Sequence, residues 1–66
     1  MQLVINGQNK EIAATATVAD LVGQFCKNKQ HIIAELNGTI IPISDWSTTV
    51  LKQGDALELV AFVGGG

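Results

Sequence analysis

Arginine and tyrosine are absent from this chain, and cysteine, histidine, proline and tryptophan occur once each. A single cysteine forms no internal disulfide, and one cysteine with one histidine cannot furnish the four ligands of a structural zinc site. The basic residues are four lysines against six carboxylates, for a formal charge of -2. Without arginine or a basic cluster, no nucleic-acid surface is expected. Charged residues make up only 15% of the chain and hydrophobic residues 47%, a balance that excludes intrinsic disorder. No apolar run approaches the roughly 20 residues of a membrane helix. The opening Met1-Gln2-Leu3-Val4-Ile5-Asn6 lacks a basic segment and reaches a turn signal at once, so no signal peptide is expected. The expectation is one small cytoplasmic domain. At 66 residues such a domain buries only about 60% of its unfolded surface, so its core must be made efficiently.

Leu3-Val4-Ile5 running into Asn6-Gly7 reads as a strand entering a hairpin, because Asn and Gly accept the positive φ of tight turns. A more polar return strand is expected near Asn9 to Ala13. Val18, Leu21, Val22, Phe25 and Cys26 then fall at i, i+3, i+4, i+7 and i+8, the stripe of an amphipathic helix. Thr17 is placed to cap it, with Asp20 completing a variant capping box. The helix is expected to end between Lys27 and Lys29, whose charges suit its C-terminal dipole. Ile32 to Leu36 reads as a strand closed by Asn37-Gly38, and Thr39-Ile40-Ile41 as its return. Pro42 cannot donate to a ladder, which places that return strand at an edge. Ser44 to Thr49, with Trp46, reads as an irregular or single-turn helical connection. Gln53-Gly54-Asp55 is a further turn, and Leu57 to Val63 is the longest β-prone run. The order β-β-α-β-β-β points to an α+β domain with the helix across one face of a sheet.

Conventional catalysis finds little footing in these residues. His31 has no evident nucleophile paired with it, and general acid–base work needs a positioned partner. Cys26 lies on the apolar helix stripe, where a cysteine acts as a small hydrophobe. No glycine-rich loop joins a strand to a helix, so no phosphate cradle is seen. Asp45, Asp55 and Glu58 read as turn and surface residues rather than a metal site, and Trp46 as core. The last strand differs. Alternation sends Leu57, Leu59, Ala61 and Val63 to one face and Glu58, Val60 and Phe62 to the other. If the first set packs on the helix, Val60 and Phe62 lie apolar on the open face, as a partner surface does.

Gly64-Gly65-Gly66 follows. Glycine has no side chain, so such a tail enters narrow channels and adopts backbone angles closed to other residues. Three extended residues reach about 10 Å. A terminal carboxylate there is ionised at neutral pH and must be activated, for example as a mixed anhydride with AMP, before it can serve as an acyl donor.

Val4-Ile5-Asn6-Gly7, Thr17-Val18-Ala19-Asp20-Leu21 and Ala34-Glu35-Leu36-Asn37-Gly38 carry a resemblance. So do Ile41-Pro42, Trp46, Leu51, Gly54-Asp55, Glu58-Leu59-Val60 and the closing Gly65-Gly66. From end to end the chain resembles the ubiquitin-like sulfur carriers of the β-grasp fold, most closely the ThiS-type carriers of thiamine biosynthesis. The resemblance implies a mixed sheet of about five strands, its first and last strands parallel at the centre. It implies a domain over residues 1–63 with a glycine tail at 64–66. It further implies a protein cosubstrate, not an enzyme, whose Gly66 carboxylate is adenylated with ATP by an E1-like adenylyltransferase. Cysteine-derived sulfur, from a donor such as a cysteine desulfurase, then makes a thiocarboxylate, which thiazole synthase consumes. The resemblance implies no stably bound cofactor. In this reading Gly66 carries the chemistry, Gly65 and Gly64 thread it, and Val60 and Phe62 are expected to touch partners. The alternatives are the related carrier of molybdopterin synthesis, disfavoured by the short chain and the Ile41-Pro42…Trp46 segment, and a modifier forming an isopeptide bond through Gly66. A β-grasp interaction module with an inert tail is the remaining one.

Overall fold

The structure, a computed structural model, describes residues 1–26 and 31–61. The expectations placed on Lys27, Lys29, Phe62, Val63, Gly64, Gly65 and Gly66 lie outside the described residues. Two Asn-Gly pairs organise the sheet. Asn6 and Gly7 both take positive φ (51° and 79°), as do Asn37 and Gly38 (51° and 87°), the signature of the two-residue turn whose twist matches its flanking strands. The first turn joins β1 (Gln2–Ile5) to β2 (Gln8–Glu11), with Ile5 opposite Gln8. The second joins β3 (Ile32–Leu36) to β4 (Thr39–Ile41), with Leu36 opposite Thr39. Because the first loop has only two residues, β2 starts and stops earlier than the expected Asn9 to Ala13.

Strand β5 (Ala56–Ala61) completes a five-stranded sheet of order β2-β1-β5-β3-β4. It runs parallel to β1 and antiparallel to β3, so the strands nearest the two ends of the chain meet at the centre. Strand β4 lies at an edge, where a strand followed by Pro42 belongs.

Helix α1 (Val18–Phe25) packs across one face. Its Val18, Leu21 and Val22 are buried against Leu3 and Ile5 of β1, Ile32 and Ala34 of β3, and Leu57 and Leu59 of β5. Each side chain of this kind contributes about 1.5–3 kcal/mol when fully buried. The capping box forms: Asp20 N–H donates to Thr17 Oγ1 at 3.2 Å, and Thr17 N–H to Asp20 Oδ2 at 2.9 Å. The next two unpaired donors of the helix end are also met. Val18 N–H reaches the Thr49 carbonyl and Ala19 N–H the Trp46 carbonyl, both at 3.0 Å. Trp46 follows the 3-10 turn Ile43–Asp45 and is buried, with its indole N–H on the Ile41 carbonyl at 2.9 Å.

The helix departs from expectation at its far end. It stops at Phe25, short of Lys27 and Lys29, because Cys26 already adopts extended angles (φ -122°, ψ 122°). Phe25, placed on the apolar stripe by spacing, is 41% exposed. Beyond the buried Val22, residues 23–25 are exposed, and Cys26, partly buried, continues the contact.

Candidate functional site

Residues 62–66 follow β5 in the sequence, and contacts on both flanks fix β5. On its β1 side, Val4 N–H donates to the Asp55 carbonyl at 2.9 Å and Asn6 N–H to the Leu57 carbonyl at 3.0 Å. At Gly7 the chain turns away, and the next β5 donor, Leu59 N–H, has no backbone of β1 left to meet it. The Asn6 side chain supplies the acceptor, with Leu59 N–H to Oδ1 at 2.8 Å. The β3 side repeats the device. Asn37 N–H donates to the Ala56 carbonyl at 2.8 Å, and Ala56 N–H returns a bond to Asn37 Oδ1 at 2.9 Å. Asn37 Nδ2 also donates to Asp55 Oδ1 at 3.0 Å. Both asparagines were legible as turn formers, but their grip on β5 was not. The available hint was the repetition of Asn before Gly, where Asp or Gly would also turn the chain.

The face of β5 turned from the helix is the second part of the site. Leu57 and Leu59 are buried against the helix layer and Val60 is 52% exposed on the opposite face, as the alternation requires. The register adds neighbours that reading β5 alone did not supply. Ile33, 40% exposed, lies directly opposite Val60, and Glu35 lies between Glu58 and Ile40, itself 62% exposed. Gly64, Gly65, Gly66 and Phe62 lie outside the described residues.

Side-chain chemistry elsewhere is sparse. Among the described residues no group of three or more His, Cys, Asp and Glu could hold a metal ion. Cys26 packs against the core and His31 is exposed just before β3. Asp55 accepts the Lys52 N–H at 2.8 Å and belongs to the turn at Gly54. An open groove of about 460 Å³ beside the helix N-terminus is lined partly by Glu11 and Asp20. Both carboxylates already have partners, Glu11 in the Met1 amine and the Gln2 amide, Asp20 in its cap.

Residues 3–66 match the family model described as the ThiS family. The chain belongs to the ThiS family. A ThiS relative from Escherichia coli K12, the sulfur carrier protein ThiS, is 29% identical over 66 residues, covering all of both chains. A protein from Paramagnetospirillum magneticum described as thiazole synthase is 39% identical over 66 residues. The match takes in all of this chain, which spans only 20% of that relative's length. Among solved structures, the crystal structure of the thiamine biosynthesis protein ThiS from Geobacter metallireducens superposes with a TM-score of 0.86 at 29% identity, over all of both chains. The ThiS-type β-grasp architecture, with five strands in a mixed sheet and one helix, is thus shared along the whole chain. No helix among the described residues is long and apolar enough to cross a membrane.

Proposed function

We infer that this ThiS-family chain is a sulfur carrier of thiamine biosynthesis and that it works through the carboxylate of Gly66. The observation that carries this reading is that the family match runs through residue 66 and so takes in Gly65-Gly66. A carboxylate oxygen of Gly66 attacks the α-phosphorus of ATP on an E1-like adenylyltransferase, and pyrophosphate leaves. The terminal sulfur of a cysteine-derived persulfide adds to the carbonyl carbon, the C–O bond to AMP breaks and AMP leaves, and a thiol reductant then cleaves the S–S bond of the acyl disulfide. The product is a thiocarboxylate, whose sulfur passes to thiazole synthase during ring formation. In this scheme the chain is a cosubstrate. Gly65 and Gly64 allow a narrow approach because they carry no side chains, while Val60 and Phe62 meet the partner. Support for thiazole synthase as the acceptor comes from the Paramagnetospirillum relative, which carries a segment like this chain within a protein of that description.

The test is the intact mass after incubation with the adenylyltransferase, magnesium ATP and a sulfur source. The wild-type chain is expected to exchange one terminal oxygen for sulfur, and a chain lacking Gly66 to remain unchanged. A wild-type mass that never shifts would end the carrier reading.

A further inference from the structure

Glu35 of β3 and Glu58 of β5 are directly paired across the two strands, on the face away from the helix. Like charges in that position destabilise a sheet. The only ion pair among the described residues joins the Met1 amine to Glu11 at 2.9 Å, so the two glutamates are not neutralised within them. They also have apolar neighbours, with Ile33 and Val60 two pairs along the ladder on the same face and Ile40 across from Glu35. An acidic pair kept beside exposed apolar side chains on the open face of the sheet favours a complex that brings a cation.

Resting on the carrier reading above, we propose that Glu35 and Glu58 form an anionic notch that receives an arginine or lysine of thiazole synthase, with Ile33, Ile40 and Val60 sealing the contact. A guanidinium fork matches two carboxylates in geometry as well as charge. The surrounding apolar side chains exclude water on docking, which strengthens the attraction. Thiazole synthase is the occupant because one relative carries a segment like this chain in the same polypeptide. The position also suits it. Gly66 lies five residues beyond Ala61, a reach of at most about 18 Å, so a partner seated on this face needs to extend no further than that to meet the carboxylate.

The experiment titrates the cognate thiazole synthase onto the full wild-type chain and onto the double variant Glu35→Gln, Glu58→Gln, at low and high salt. The Kd is expected to weaken on the order of tenfold at low salt, with the difference shrinking as salt screens the pair. The Tm of the same variant is expected to hold or rise, since a repulsion has been removed. Binding and stability thus move in opposite directions, which a purely structural pair would not do. An unchanged Kd, a loss that tracks a lowered Tm, or a loss confined to the adenylyltransferase overturns the proposal. Thiocarboxylate formation on the wild-type chain is read separately: its failure removes the carrier reading, while an unchanged Kd beside normal charging removes only the notch.

Discussion

At Asn6 the chain leaves β1 one rung before β5 has finished donating, and a side-chain carbonyl fills the place of the missing backbone. The residue has two requirements that can be separated. Its φ of 51° needs a residue tolerant of the left-handed region, and its Oδ1 must accept from Leu59. Asn6→Gly keeps the first and loses the second, which is expected to cost about 1 kcal/mol, the net value of one such bond. Asn6→Asp keeps both and should stay within a few tenths of a kcal/mol, near the level of ordinary surface changes. Urea unfolding of the two variants distinguishes them; equal losses would show that only the turn matters. The turn itself was legible from the Asn6-Gly7 pair. The bond to Leu59 was not, because it joins positions 53 residues apart and local pattern carries no register between distant strands. Glu35 and Glu58 were hidden in the same way: each reads as an ordinary exposed strand residue until pairing sets them opposite each other.

Helix α1 has eight residues, well under the roughly 12–15 that an isolated helix needs in water. It is held by its partners, and the segment around Trp46 is one of them. Trp46 presents its carbonyl to Ala19 N–H, buries its ring, and pins its indole N–H to Ile41, so one residue ties helix, connection and edge strand together. Trp46→Ala is expected to cost about 3–5 kcal/mol. A domain of this length has a total stability of roughly 3–10 kcal/mol at typical values per residue, so much of that variant should be unfolded at 37 °C by near-ultraviolet circular dichroism and proteolysis. A near-native thermal transition would show the ring to be dispensable packing. The helix was the clearest element in the sequence because its stripe and cap are local. Its end was misplaced because spacing reports which face a residue occupies, and Phe25 and Cys26 keep the spacing while the backbone turns extended after Phe25. The edge position of β4 was readable from Pro42, since that constraint is also local.

Across the whole molecule, residues 2–5 and 56–61 form the parallel pair at the middle of the sheet. Central pairing couples integrity of the core to β5, whose last residue is Ala61. Removing residues 64–66 is therefore expected to leave Tm nearly unchanged while abolishing thiocarboxylate formation, whereas ending the chain before Leu57 should abolish cooperative unfolding altogether. A substantial drop in Tm on trimming the glycines would show that they support the fold. The parallel arrangement was implied by the family resemblance; composition and periodicity specify strands but not their order. It also has a mechanical side. When another protein grips the terminus and pulls, the force runs along β5, which is bonded to β1 on one flank and β3 on the other. Bonds lying across the direction of a pull bear load together in shear, unlike a hairpin peeled open from its tip, where they give way singly. With Asn6 and Asn37 adding a rung on each flank, β5 can resist traction that would strip an edge strand away.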